Sequence, residues 1–402
     1  MAAAGSAVTA TPRARPEWLE VLGGQLLALG SALAIALLLG SLIILGYRES
    51  PFVVYGSILE YAFVKEGGIG YVLSTATPLI FSALAVAVCF KGGMFNIGVE
   101  GQYIVAMMTA AWAALTLDFI PGPLLLWVVV LAAMLGGMLW AAIPAILKVK
   151  AGAHEVVTTI MLNGVAVSLV AWAIGGPLRY TDTGGGFSVN LRTDPFVANA
   201  RIPDLGHVFG IRSSAHLTWL FPVAVVVAVL VWFVLRRTRL GYEARAVGAS
   251  TGSARAGGIS IGGVQVKLFL LSGALAGVVG MQQLLGEKGF LPVGYEAALG
   301  FTGIAVAFLG QNSPIGIVFA AILWGILARG DTAVQIVTDV PREFIIILQG
   351  ILIITVVVTY QLARRRLLAR QLRKAAVELS EEVSPSDEDG DGLQAGARPE
   401  SR

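Results

Sequence analysis

The chain has 402 residues, 56% of them hydrophobic and 13% charged, with a mean hydropathy of +0.79. A soluble domain carries nearly twice that charge fraction, so the composition is that of an integral membrane protein. A net charge of +3 is too slight to argue for nucleic acid, the single cysteine (Cys89) excludes an intrachain disulfide, and three scattered histidines (His154, His207, His216) make no metal-ligand pattern.

Taken in order, residues 1–20 form a polar tail with Arg13 and Arg15. The run 21–46 is apolar and has no small-residue cleavage site, so it is a first membrane helix rather than a removable signal. The interval 47–70 is amphipathic and polar enough to leave the membrane. Residues 72–90 give a second helix with Pro78 as a kink, and 94–115 a third after Lys91, Gly92 and Gly93. Pro121 and Pro123 mark a turn before the fourth, 124–147; the fifth runs 154–175 and the sixth 217–235. Between these two lies a polar, glycine-rich interval of mixed charge, 176–216.

The stretch 236–263 is a polar interval with five arginines (Arg236, Arg237, Arg239, Arg245, Arg255) against one acid, Glu243. Within it Ser250 can cap a short helix over 251–256, and Gly257 with Gly258 can end it. The residues of that helix open to a partner would be small: Gly252, Ser253 and Ala254, with one Arg255. A seventh helix follows over 264–285, then two short apolar runs, 297–309 and 315–328, and a last helix over 343–363. The tail 364–402 is first basic and then acidic; the basic part continues the last helix, and the acidic part lacks anything to bury and is expected to be disordered.

The fold class is therefore all-α, with about ten membrane helices, or eight if the two short runs do not cross. Either count puts both termini on one side. With both termini inside, 19 of the 28 lysines and arginines fall on the inner face, which supports that orientation. The predicted second to fifth and seventh to tenth helices start on opposite sides, so a similarity between GMFNIGVEGQ and LGFTGIAVAFLGQ would mark an inverted repeat.

Chemistry concentrates in FKGGMFNIGVEGQYIVA, where Asn96, Glu100 and Gln102 interrupt an apolar run. A charge at mid-bilayer costs about 2.5–3.5 kcal/mol, so such groups face a cavity or a partner. Asn96 and Glu100 are expected on one helix face, either lining a translocation path or, for Glu100, pairing at the cytoplasmic interface with Lys91 or a neighbouring helix. Thr158 and Asn163 in the fifth helix are candidates for the same path or hydrogen-bonding glue between helices, and Gln282, Gln283 and Glu287 carry the same two readings. No GxxxxGK[ST] loop is present, so ATP hydrolysis belongs to another chain and no cofactor is expected on this one.

Together these stretches resemble the permease subunits of bacterial ABC importers, in the group shared by ribose-type and branched-chain amino-acid-type systems. FKGGMFNIGVEGQYI looks most like the nucleoside-uptake branch, RAVGASTGSARAGGI is similar to the family's cytoplasmic coupling segment, and GFTGIAVAFLGQNSPIG to its late-helix signature. HEVVTTIMLN is similar to a further family stretch. The resemblance covers roughly residues 67–363. It implies that Gly248, Ser250, Ala254, Arg255 and Gly258 belong to the element that docks on a cytoplasmic ATPase subunit. It also implies a second permease, identical or related, and an extracytoplasmic substrate-binding protein, in a multi-pass protein of the bacterial inner membrane. The chain departs from the family at Thr251 and Gly252, where relatives tend to have proline and a charged residue. Two other classes stand beside this one: an ion-coupled transporter that works alone through Glu100, and a membrane scaffold that moves nothing.

Overall fold

The computed structural model describes residues 17–180, 191–206, 217–341 and 343–383. Its helices are α1 (Glu17–Gly46), α2 (Pro51–Leu59), α3 (Gly68–Lys91), α4 (Val99–Thr116), α5 (Leu124–Ala151), α6 (Glu155–Gly175), α7 (Leu220–Arg237), α8 (Arg239–Ala249), α9 (Thr251–Ala256), α10 (Ile261–Val279), α11 (Leu299–Leu309), α12 (Pro314–Val337) and α13 (Glu343–Val383). Two π-helical segments, Glu60–Val64 and Gln282–Lys288, extend α2 and α10. The described residues contain no β-strand, only isolated bridges pairing Arg192 with Pro292 and Asp204 with Thr218. The all-α class is as expected.

The described residues within 36–353 form one compact unit; the first part of α1 (17–35) and the later part of α13 (354–383) form another. Seven helices (α3, α5, α6, α7, α10 with its π extension, α12 and the first part of α13) are long and apolar enough to cross a membrane. The bent pair made of residues 30–46 of α1 and 51–64 makes eight. All ten predicted runs are helical, but α4 and α11 do not qualify as crossings by length and composition.

Several boundaries differ from the sequence reading, each for a local reason. The interval 47–70 folds back at 118° rather than leaving as a loop. Pro51 starts α2, and Val54 and Ile58 enter an apolar cluster with Ile44, Val334 and Phe344. The second short run is the start of a 24-residue helix, because Pro314 at its first turn and a small-residue face (Ala320, Ala321, Gly325) carry it on to Val337. The first stays short, at eleven residues. The polar interval 236–263 is largely helical: Thr238 caps α8, accepting a bond from the Gly241 amide at 3.4 Å, and Gly241, Ala244 and Val247 form its buried stripe. The residues after Val383, and Asp182, His207, Arg212 and His216 of the glycine-rich interval, lie outside the described residues.

At the centre stands α3, buried over most of its length between α10, α11, α12 and α7. Beside it α5 and α10 approach backbone to backbone through glycines. A Cβ on Gly277 would stand 2.6 Å from the Ala133 carbonyl oxygen and 2.7 Å from the Met134 Cα. With no hydrophobic drive between helices inside lipid, such close packing is what holds them. Gly277→Val is therefore expected to cost about 1–3 kcal/mol by overpacking. The check is the apparent melting temperature and monodisperse yield of the detergent-extracted protein; an unchanged melting temperature would sink the claim.

Candidate functional site

The run from Gly92 to Gly98 is not helical, so α3 and α4 are joined by unwound chain inside the bundle. Gly93 has φ +71°, a left-handed conformation that favours glycine, and it turns the chain back toward α4. Asn96 therefore precedes α4 and does not share a helix face with Glu100. Its side-chain oxygen accepts from the Gly98 amide at 2.9 Å, and its amide group donates to Ser272 Oγ at 2.9 Å and to Gln102 Oε1 at 3.1 Å. Ser272 in turn donates to the Ala85 carbonyl at 2.7 Å. Asn163 ties the same place to α6, accepting from the Gly101 amide at 2.9 Å and donating to the Ile97 carbonyl at 3.1 Å. These side chains satisfy backbone groups that the break leaves free.

Glu100 engages a neighbouring helix, the partner its second reading allowed, and does so through backbone amides. Its carboxylate accepts from the backbone amides of Ala298 at 2.7 Å and Gly300 at 2.8 Å, with the Tyr103 hydroxyl 3.0 Å away. Those amides open α11, and Glu100 itself sits in the first turn of α4. Two helix N-termini thus converge on one buried carboxylate, which offsets the positive end of both dipoles. It is not paired with Lys91. Of the five proposed path residues, Asn96, Glu100, Gln102 and Asn163 are gathered at this junction. Thr158 is not; it bonds back to the Glu155 carbonyl of its own helix at 3.1 Å.

The open space lies elsewhere, in a cavity of about 390 Å³ between the early part of α3, the π extension of α10, α11 and α12. Tyr71, Ser74 and Thr75 line one wall, Gln283, Glu287 and Glu296 another, and Thr302 and Trp324 close it. The volume is that of a small-molecule site, and π segments such as Gln282–Lys288 recur at functional positions. Gln282 is held rather than free, accepting from Thr218 Oγ1 at 2.6 Å and donating to Ser74 Oγ at 3.2 Å. Gln283 Oε1 accepts from the Glu296 amide at 3.0 Å and so fixes the loop carrying that carboxylate. Desolvation by the surrounding groups, and then the nearby Glu287 carboxylate, hold Glu296 above the usual carboxylate range, although part of the residue is exposed. Tyr103, whose hydroxyl lies 2.9 Å from the Glu296 carbonyl oxygen, connects this loop to the Glu100 junction. Gln283 and Glu287 stood out in the sequence as polar groups in an apolar helix; Tyr71, Glu296 and Trp324 gave no local signal.

At the other end of α3 lies α9, the core of the expected coupling element. Ser250 caps α9 by accepting from the Ser253 amide at 3.3 Å, and Gly257 and Gly258 (φ +74°) terminate it, at the residues expected. Ala254, however, is buried, and every other residue of α9 is open, Gly252, Ser253 and Arg255 among them. Beside α9 is a cavity of about 440 Å³ with Arg239, Tyr242 and Lys267 among its walls. Gly248, at the end of α8, meets the α3–α4 break directly. A Cβ there would overlap the Lys91 carbonyl oxygen and stand 3.2 Å from the Gly93 amide nitrogen. From Lys91 to Tyr71 is roughly 30 Å along α3 at about 1.5 Å per residue, so the cavity and the coupling element sit at opposite ends of one helix.

A family model described as the branched-chain amino acid transport system permease component matches residues 68–357. The guanosine ABC transporter permease protein NupP of Bacillus subtilis (strain 168) is 35% identical over 349 residues, covering 86% of this chain and 96% of the relative. The glucose ABC transporter permease protein TsgB13 of Haloferax volcanii is 31% identical over 88% of this chain and 91% of its own. The nucleoside ABC transporter permease protein NupB of Lactococcus lactis subsp. cremoris (strain MG1363) is 31% identical over 82% and 90%.

Proposed function

The chain belongs to the branched-chain amino acid transport system permease family, and from that premise we propose that it is the membrane subunit through which an ATP-driven importer moves nucleosides. The observation carrying the proposal is the near full-length similarity to permeases named for guanosine and nucleosides. The 390 Å³ cavity, with its aromatic rings and carboxylates, suits a solute with a flat ring and several hydroxyl donors. In this reading both termini and α8–α9 face the cytoplasm of a bacterium, as the arginine distribution favours. A separate ATPase subunit docks on Gly252, Ser253 and Arg255 and against the neighbouring cavity, with Gly248, Ser250, Ala254 and Gly258 shaping the element. A second permease completes the path, and an extracytoplasmic binding protein delivers the solute to the cavity end. The chain performs no chemistry; it turns the ATPase's motion into alternating exposure of the cavity.

Glu100 gives no support to an ion-coupled mechanism, since both carboxylate oxygens are engaged by backbone amides. A sugar is the second reading, favoured by the similarity to a permease named for glucose. The test is purification of the tagged chain in mild detergent, followed by uptake into membrane vesicles. An ATPase subunit is expected in near-equal amount, with ATP-dependent accumulation of labelled guanosine that excess glucose does not compete away. A lone species driven by an ion gradient would overturn the class; competition by glucose alone would overturn the substrate.

A further inference from the structure

Two carboxylates, Glu287 and Glu296, face the cavity, and no lysine, arginine or histidine is among its lining residues. Neither carboxylate takes part in an ion pair among the described residues. Two guanidinium groups come near but are committed. Arg201 donates to the backbone carbonyl of Glu287 at 3.0 Å, and Arg329 lies over the Tyr71 ring at 4.9 Å, outside the lining. Glu287 is half-buried and Glu296 exposed, so water reaches both, yet among the described residues no protein donor engages either side chain, although the same fold provides two backbone donors to Glu100 a short way off. A solute entering the cavity meets two acceptors that no protein group occupies.

We propose that this cavity is a solute site that selects by charge: Glu287 and Glu296 accept hydrogen bonds from the hydroxyl or amino groups of a neutral solute and repel the same solute when it is phosphorylated. An ionised carboxylate accepts and cannot donate, so the pair complements a vicinal diol or an exocyclic amine. Trp324 and Tyr71 offer ring faces for a planar base in the same space. A phosphate carries about −1.5 to −2 charges at neutral pH, and a low-dielectric cleft focuses the field of its lining. The permease would thus exclude nucleotides on its own account, independently of the binding protein that delivers solute. The inference rests on the nucleoside-importer reading for the identity of the solute, but not for the charge selection itself.

The only cysteine of this chain, Cys89, is fully buried, so a cysteine placed in the cavity is the chain's sole accessible thiol, and its labelling is read on this chain after separation from its partners. The experiment uses full-length Thr302→Cys, with Thr75→Cys as a second position, in membrane vesicles together with the partner subunits. It compares modification rates by a trimethylammonium-bearing and a sulfonate-bearing methanethiosulfonate. The cationic reagent is expected to be favoured, and the rate ratio to fall at least about tenfold when Glu287→Gln and Glu296→Gln are combined, the lower end of electrostatic focusing in clefts. Guanosine should slow both reagents in the parent; guanosine 5′-monophosphate should do so only in the double glutamine background. An unchanged ratio, or equal protection by the monophosphate in the parent, overturns the inference. Loss of guanosine protection with a carboxylate-dependent ratio retained would instead keep the charge selection and sink the nucleoside reading.

Discussion

Glu100→Ala is expected to cost about 2–8 kcal/mol, a loss comparable to the whole stability of many folded proteins. The substitution strands the buried Gly300 amide, a donor costing about 1–3 kcal/mol when unsatisfied, and frees the more exposed Ala298 amide, which water can partly satisfy at a smaller cost. It also removes the anion that faces the N-termini of both α4 and α11, a further contribution of about 0.3–2 kcal/mol at each end. Glu100→Gln keeps the shape but has one acceptor oxygen for two amides, so it should fall between. Size-exclusion profiles and melting temperatures in detergent, read beside guanosine uptake, give the answer. If the glutamine variant were as stable as the parent and lost only uptake, Glu100 would be a transport group and not a clamp.

The second large effect is expected at Gly248→Val. Near the end of a helix a glycine is a poor choice by propensity, and replacement by valine should stabilise an isolated α8 by only about 0.3 kcal/mol. In the fold the new Cβ overlaps the Lys91 carbonyl and pushes α8–α9 off the α3–α4 break. Overpacking of about 1–3 kcal/mol at a contact between moving parts translates into roughly a tenfold or greater loss of uptake. The ATPase subunit should still co-purify, because α9 and its open residues are untouched. Normal uptake by Gly248→Val would mean that this contact transmits nothing.

How much of this was legible in the sequence depended on how far apart the partners lie. The bounds of α9 follow from Ser250 and the Gly257–Gly258 pair alone, since capping and termination are settled within a few residues. The helix before it escaped notice because its buried stripe is made of Gly241, Ala244 and Val247, too small and too diluted by arginine to register as an apolar face. Glu100 announced itself as a charge in an apolar run, yet its partners are amides some two hundred residues later, and nothing local distinguishes a helix clamp from a path residue. The cavity was hidden for the same reason. Glu296 sits in a loop and Trp324 in an ordinary apolar helix, and only the packing of α3 against α10, α11 and α12 brings them together.

That packing also bears on how the protein is made. The central helix α3 has almost no face left for lipid, and Ser74, Thr77 and Ser82 are buried on it. During synthesis it enters the bilayer long before α12 exists; roughly 220 residues separate the two, which at about 5–20 residues per second is on the order of 10–40 s. For that interval its hydroxyls bond only within the helix, as Thr77 does to the Leu73 carbonyl, while Ser82 waits for the Leu299 carbonyl of α11. A chain that stops before α11 would leave the Ser82 hydroxyl of this largely apolar helix facing lipid instead of protein.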